Sequence, residues 1–253
     1  MTLRVYLTGN VAVEHGDVLV AERRLPGRQG RLTLAVLAWE RDHAVSIEEL
    51  ADVVWDGEPP AAWQTALRAL VSKLRTALDG TGGASIEHAF GCYQLRLAPD
   101  AWLDVEAADA AVHEAESAFR VGDLEGANGH ALVANAIARR PFLPGTVGSW
   151  VERRREHLRQ VRVRALEVRG RVALEHGDPV GAATDAGLVI ELEPYRETAH
   201  ALLMRAHAAA GNRAKGLEAY ERLRILLAED LGSAPSSETE AVFLELLAPD
   251  RSP

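Results

Sequence analysis

The residues best suited to chemistry in this chain lie in one stretch, 59–78 (PPAAWQTALRALVSKLRTAL), which contains no acidic residue in a protein of formal net charge -9. At about 100° per residue, its apolar and polar residues fall on opposite arcs of a helix. The polar arc consists of Gln64, Thr65, Arg68, Ser72 and Arg75, with Lys73 at its margin. Arginine and glutamine can bind base edges in bidentate fashion, and hydroxyl and ammonium groups bind phosphate oxygens. The arc suits DNA, although an ordinary amphipathic surface helix has the same periodicity.

The upstream flank favours a helix-turn-helix. Ser46 and Glu49 form a capping-box pattern that predicts a short helix through about Trp55. The segment WDGEPPA then turns the chain into the polar-faced helix. A short helix, a turn and a longer polar-faced helix are the elements of a DNA-binding helix-turn-helix.

The downstream flank predicts a β-hairpin. After the flexible segment DGTGGAS, the sequence SIEHAFGCYQLRL contains two short extended runs that meet around residues 89–91. We interpret this hairpin as a wing that lies against the DNA backbone or the minor groove. His88 and Tyr93 are its candidate contact residues.

Short apolar runs precede these elements. LRVYLTG, VAVEH and VLVAERRL predict a small antiparallel sheet, with a turn at residues 15–17 (HGD). Residues 29–41 (QGRLTLAVLAWER) have helical spacing and would form the first helix of a trihelical core.

The second half of the chain reads as helical repeats. Gly122-Asp123, Gly177-Asp178 and Gly211-Asn212 separate helical runs, and the last two are 34 residues apart, the period of tetratricopeptide repeats. The first two glycines are 55 residues apart. The residues in excess of one repeat include ARRPFLPGTVGSW, a connection that breaks the helical periodicity. Helices are predicted at 104–120, 124–139, 149–176, 179–192, 196–210, 213–229 and 236–247.

Length and composition agree with two domains, which we place at 1–98 and 99–253. The N-terminal segment has 10 Lys and Arg against 12 Asp and Glu, and the C-terminal segment has 18 against 25. Both segments carry a net negative charge, so DNA binding must depend on a local group of cations.

A single cysteine, Cys92, excludes an internal disulfide framework. Without an apolar run of ~20 residues or a signal peptide, we expect a cytoplasmic protein that does not bind a membrane.

Residues 139–171 form a second basic zone, with 10 arginines and only three acidic residues. This zone can bind DNA backbone or an acidic partner. We favour the alternative that it pairs with the surplus acids of neighbouring repeats, because ion-paired helix faces are common.

Several stretches together resemble one family, the SARP and AfsR-like transcriptional activators of actinobacteria. They are SIEELADVVWDGEPPAAWQTALRALVSKLRTAL, the hairpin end GCYQLRL, and the run from ETAHALLMRAH to LLAEDLGSAPSSETE. The resemblance implies a mainly α fold with a small β part. An N-terminal OmpR-type winged helix-turn-helix is followed by an all-α, tetratricopeptide-like bacterial transcriptional activator domain.

The resemblance also implies an activator that binds direct repeats in promoter DNA, as two protomers side by side, and contacts RNA polymerase holoenzyme at a linked gene cluster of the secondary-metabolite type. The third helix has only three positive residues, fewer than family members often have, so an unknown small-molecule effector is a further candidate partner. We expect no cofactor, no metal and no catalytic activity, since phosphate-loop, HExxH, CxxC and GxSxG motifs are absent from the sequence. The alternative function is a protein-interaction adaptor whose repeats bind a peptide or effector and whose winged helix docks protein.

Overall fold

The computed structural model of the protein describes residues 2–248. The N-terminal elements are β1 (Arg4–Tyr6), β2 (Ala12–His15), β3 (Val18–Val20), α1 (Gly27–Trp39), β4 (Val45–Ser46), α2 (Ile47–Trp55), α3 (Trp63–Leu78), β5 (Ala84–Ala89), β6 (Cys92–Leu97) and β7 (Trp102–Leu103). The later helices are α4 (Asp104–Arg120), α5 (Leu124–Ala138), α6 (Ser149–Glu175), α7 (Pro179–Leu192), α8 (Glu197–Ala209), α9 (Arg213–Leu231) and α10 (Ser237–Leu247). The predicted fold class is confirmed.

The first sheet has the strand order β3-β2-β1-β7. β1 pairs antiparallel with β2 and parallel with β7, and β2 and β3 join at Gly16 and Asp17, inside the predicted turn. The buried carboxylate of Asp104 accepts hydrogen bonds from the backbone N–H groups of Leu7 and Thr8, both at 2.9 Å. This carboxylate ties the end of β1 to the start of α4.

Three helices and a second sheet form the winged helix. Leu37, Leu50 and Leu74, one from each of α1, α2 and α3, are buried in one core. The predicted cap is present: the backbone N–H of Glu49 donates to Ser46 Oγ at 3.1 Å. α2 ends at Trp55, and the left-handed backbone of the next residue, Asp56 (φ 51°), lets the chain turn toward α3.

The second sheet contains the predicted hairpin. Its strand order is β4-β6-β5, and β5 pairs antiparallel with β6 from Ala84↔Leu97 to Ala89↔Cys92. Only Phe90 and Gly91 connect the two strands. Their φ angles, 51° and 74°, are both positive, as a two-residue hairpin turn of type I′ requires.

The repeated Gly-Asp and Gly-Asn pairs have one structural explanation. Gly122, Gly177 and Gly211 each have positive φ, between 71° and 82°, which ends a helix without the steric penalty of a side chain. The residue after each glycine then caps the next helix. Asp178 accepts from Gly181 N–H at 2.9 Å, and Asn212 accepts from Lys215 N–H at 3.3 Å. All seven predicted repeat helices are present, with ends within two residues of those predicted.

The chain divides into two compact units that are discontinuous in sequence: residues 1–109 with 136–158, and residues 110–135 with 159–253. The connection that breaks the repeat period therefore packs in the first unit, where Phe142, Leu143 and Trp150 are buried. The functional division at residue 98 stays a prediction.

Acidic partners occupy much of the basic zone at 139–171, which confirms the pairing interpretation. In the first unit Arg154 binds Glu40 and stacks over the rings of Trp39 and Trp150, at 4.9 and 5.2 Å from their centroids. In the second unit three further arginines form ion pairs: Arg159 with Glu193, Arg164 with Glu116, and Arg169 with Asp185. Among residues 2–248, no helix has both the length and the apolar content needed to cross a membrane.

Candidate nucleic-acid interface

α3 is held by its apolar side and presents its polar side to solvent. Leu67, Val71 and Leu74 are buried, and the helix packs against α1 and α2. The predicted polar residues are all exposed: Gln64, Thr65, Arg68, Ser72, Lys73 and Arg75. The structure therefore brings these six side chains to one face of one helix.

The three cations of this face differ in the contacts that they make within the protein. Arg68 and Lys73 form no ion pair with any of residues 2–248, so their charges are available to a ligand. Arg75 instead donates from Nε to the carbonyl of Ile86 on β5, at 2.9 Å. Arg75 therefore fixes the hairpin relative to α3, and only the rest of its guanidinium can bind a ligand.

Two more residues extend the face. Thr76 is exposed one turn after Ser72, whose carbonyl it binds through Oγ1 at 3.2 Å. Ala69 is exposed one turn after Thr65. The helical spacing of Thr65, Ala69, Ser72 and Thr76 could have placed both on the polar arc. The small Ala69 side chain allows a ligand to approach the helix backbone closely.

The two predicted hairpin residues have different environments. His88 is exposed on β5, with its ring 4.8 Å from that of Tyr93. Tyr93 is only 4% exposed and pairs with Val45 across β4 and β6. The prediction of Tyr93 as a contact residue is corrected: its side chain is buried in the core of the first unit. His88 lies directly opposite Tyr93 in the β5–β6 register, so the two rings share one face of the sheet and pack against each other.

The residue that sequence reasoning missed is Phe90. Its side chain is completely exposed at the tip of the hairpin (103%), and its backbone has φ 51°, which is rare for a bulky residue. Asparagine and glycine suit this turn position better. The signal was present in the sequence, since an aromatic residue directly precedes glycine in the predicted turn, and a strained aromatic residue at an exposed tip is typical of a functional contact.

The hairpin is otherwise close to neutral. Glu87 pairs with Arg96 on the neighbouring strand, at 3.0 Å. Cys92 is partly exposed beside the tip, where its Sγ lies 3.8 Å from the Phe90 carbonyl. Within residues 2–248, no three metal-ligating side chains come together.

Comparison with known proteins identifies relatives of the whole chain. Regulatory protein AfsR of Streptomyces coelicolor is 30% identical over 222 residues, which cover 88% of this chain and 22% of AfsR. Regulatory protein DnrI of Streptomyces peucetius is 24% identical over 257 residues, which cover 98% of this chain and 93% of DnrI. The chain thus spans about a quarter or less of the AfsR relatives and nearly all of DnrI.

The fold is also found among solved structures. Mycobacterium tuberculosis EmbR, determined in complex with a low-affinity phosphopeptide, superposes with a TM-score of 0.85 at 24% identity. The match covers 97% of this chain and 65% of EmbR. Residues 103–247 match the bacterial transcriptional activator domain. This match covers more than half of the chain and, together with the AfsR and DnrI relatives, confirms the predicted resemblance: the chain belongs to the SARP and AfsR-like family that carries the bacterial transcriptional activator domain.

Proposed function

We propose that this protein is a transcriptional activator that binds promoter DNA through α3 and the β5–β6 hairpin. The observation that carries the proposal is the exposed face of α3, which has no acidic residue and two unpaired cations. Gln64 and Arg68 would reach base edges in the major groove, and Thr65, Ser72 and Lys73 would bind phosphates. His88 and Phe90 would lie against the adjacent backbone or minor groove.

Family membership supports the rest of the proposal. Relatives are named regulatory proteins, and DnrI matches over nearly its whole length. We propose that two protomers bind direct repeats in the cytoplasm and contact RNA polymerase holoenzyme, which activates a linked gene cluster. The protein would have no catalytic role. An effector that binds the repeats is compatible with this scheme.

The charge of the protein sets the character of DNA binding. A net charge of -9 repels a phosphate backbone at long range, so attraction must come from the few cations of α3 and the hairpin. Non-specific affinity should be weak, and the salt slope should correspond to a small number of phosphate contacts.

The test is binding of the purified protein to DNA fragments from its own genomic neighbourhood across a salt series. Arg68→Ala/Lys73→Ala should weaken the specific complex about tenfold or more and reduce the salt slope by about 1 to 2. The matched control, Lys215→Ala/Arg222→Ala, removes the same charge from the exposed surface of α9 and should bind as the wild type does. Equal binding by the α3 variant would overturn the DNA-reading role, and binding of a protein ligand that both variants retain would favour the adaptor alternative.

A further inference from the structure

The first unit contains an open depression that the proposed function does not use. Its volume is about 860 Å³, and its lining comes from β2, the edge strand β3, the start of α1 and the residues that join these elements. The charged residues of the lining are Glu22, Arg23, Arg28 and Arg31. Both carboxylate oxygens of Glu22 are engaged: Oε1 accepts from Arg31 Nη1 at 2.5 Å, and Oε2 accepts from the backbone N–H of Val11 at 3.0 Å. The lining therefore has an excess of positive charge.

Two arginines of the depression are available to a ligand. Arg23 and Arg28 are exposed, and neither forms an ion pair with any of residues 2–248. Residues 23–39 contain four arginines and no acidic residue. Glu14 on β2 and Asp17 in the turn after it lie outside the lining. Guanidinium groups without acidic partners are suited to binding carboxylates.

The start of α1 adds backbone donors to this depression. The first turn of α1 has no acidic residue, and Pro26, which precedes the helix, provides no side-chain cap. The backbone N–H groups of Arg28 and Gln29 have no hydrogen-bond partner among residues 2–248. Helices commonly begin with a capping side chain or an acid, because this end of the helix dipole is positive. An arginine at this end is unfavourable for the helix alone, and it is expected where the surface binds an anionic group.

Arg31 is the buried cation of the depression. Its side chain is only 11% exposed, and its guanidinium donates to the Pro144 carbonyl at 2.8 Å and to Thr146 Oγ1 at 2.9 Å. Its Nε is also buried and has no hydrogen-bond partner in the part of the chain that the structure describes. Because buried donors in folded proteins are nearly always paired, this unpaired donor is a second indication that an acceptor from outside the chain binds here.

Leu19 makes a protein a more suitable ligand than DNA. Its side chain lines the depression beside the arginines and is 54% exposed. A phosphate backbone would leave this apolar side chain uncovered, whereas an apolar side chain of a protein segment would cover it.

The position of the depression also favours a protein. The start of α2 lies beside the hairpin tip, because the backbone N–H of Ile47 donates to the Gly91 carbonyl at 3.0 Å. The other end of α2 is about 13 Å away at 1.5 Å per residue. There Asp56 accepts from the backbone N–H of Ser149 at 3.2 Å, and Ser149 lies in the connection that also binds Arg31. The depression is thus linked to the end of α2 that is remote from the hairpin, apart from the proposed DNA contact of the tip.

We propose that this depression binds an acidic segment of another protein. Carboxylates of the segment would bind Arg23, Arg28 and the unpaired N–H groups at the start of α1, and an apolar side chain would cover Leu19. The interaction goes beyond the proposed function, since it requires neither the α3 face nor the hairpin.

The experiment selects displayed random peptides of about twelve residues on the full chain and measures the enriched peptide, labelled with fluorescein, by anisotropy. We expect enrichment of aspartate and glutamate with at least one leucine or aromatic residue. Binding to Arg23→Gln/Arg28→Gln should be about tenfold weaker or more, because two charge-assisted contacts are lost. Lys215→Gln/Arg222→Gln, which loses the same charge on α9, should bind within about twofold of wild type.

A second variant separates binding from folding. Arg28→Glu places an acid in the first turn of α1, where the helix dipole favours it, and repels the carboxylates of the peptide. The thermal midpoint should therefore stay equal or rise while peptide binding is lost. A lower midpoint would mean that Arg28 stabilises the fold, which contradicts the proposal.

Four further results would overturn the proposal: no enriched peptide, enriched peptides without acidic residues, equal peptide binding by Arg23→Gln/Arg28→Gln, or weaker promoter binding by that variant, which would assign the arginines to DNA. We expect Arg23→Gln/Arg28→Gln to bind promoter fragments within about twofold of wild type. Arg68→Ala/Lys73→Ala should instead lose promoter binding and keep the peptide. Failure of this proposal is therefore distinguishable from failure of the DNA-binding proposal.

Discussion

Arg75 shows that one side chain of the α3 face has a structural task. Its Nε donates to the Ile86 carbonyl at 2.9 Å, so the guanidinium positions the hairpin as well as contributing charge. Lysine keeps the charge but cannot reproduce this planar donor. Arg75→Lys should therefore lower the free energy of unfolding by about 1 kcal/mol, the net value of one hydrogen bond.

Urea unfolding followed by tryptophan fluorescence measures this change. Arg68→Lys is the matched control, because Arg68 lies on the same face without an ion pair among residues 2–248, and its stability should change by less than about 0.5 kcal/mol. Equal stability of the two variants would show that the Arg75 contact contributes nothing to the fold.

We expect His200 to make the repeat unit less stable in acid. Burial lowers the pKa of its imidazole below the usual value, and a ring nitrogen donates to the Pro194 carbonyl at 2.8 Å. Because the unfolded chain takes up the proton at higher pH than the folded chain, stability is lost as the pH falls below about 6.5.

The thermal midpoint should therefore drop between about pH 7.5 and pH 5.5, and His200→Gln should reduce this drop. Part of the drop should remain in the variant, since burial also lowers the pKa of His207. An unchanged pH dependence in His200→Gln would assign the acid sensitivity to other groups.

At the scale of elements, the hairpin tip combines strain with exposure. Phe90 has φ 51° in a turn that favours asparagine, and its ring contacts solvent on all sides. Phe90→Asn should raise stability by roughly 1 kcal/mol, because the left-handed conformation is unfavourable for phenylalanine. The same variant should weaken promoter binding if the ring rests against the duplex.

Unfolding and DNA titrations on the same Phe90→Asn preparation separate the two effects. Phe90→Gly removes both the ring and the backbone strain, and it should also weaken binding to promoter DNA. Unchanged DNA affinity in both variants would show that the tip of the hairpin does not contact DNA.

Local patterns predicted most of these elements. Ser46 and Glu49 marked the start of α2, and the Gly-Asp and Gly-Asn pairs marked repeat boundaries, since caps and turns act within four or five residues. The polar arc of α3 followed from helical period alone. The burial of Tyr93 could not be predicted in this way, because its partner strand β4 lies almost 50 residues earlier in the sequence. The hydrogen bond from Arg75 to the Ile86 carbonyl also joins two separate elements, so helical periodicity did not predict it.

At the scale of the whole molecule, the first compact unit depends on a distant segment. Phe142 is buried, and its ring packs edge-on against Trp39 with 5.4 Å between centroids. Phe142→Ala should cost about 3 to 5 kcal/mol of stability, because it removes a large side chain and leaves a cavity. Val147→Ala, at an exposed position of the same connection, should change stability by less than about 0.5 kcal/mol.

Tryptophan fluorescence reports this loss directly, since Trp39 and Trp150 both surround Phe142. Equal unfolding curves for the two variants would mean that residues 136–158 are dispensable to the first unit. The sequence did not predict this packing. Periodicity indicates where helices end, but it does not indicate which hydrophobic core the connection at 136–158 packs into.

The discontinuous first unit also sets an order of events on the ribosome. Its core takes residues from both 1–109 and 136–158, so the winged helix must wait for 60 further residues after residue 98 before its last core side chain, Leu158, is synthesised. At typical synthesis rates of about 5–20 residues per second this wait lasts roughly 3 to 12 s. During that interval Trp39 lacks the aromatic side chains that pack against it, and chaperones have a defined window in which to protect the nascent winged helix.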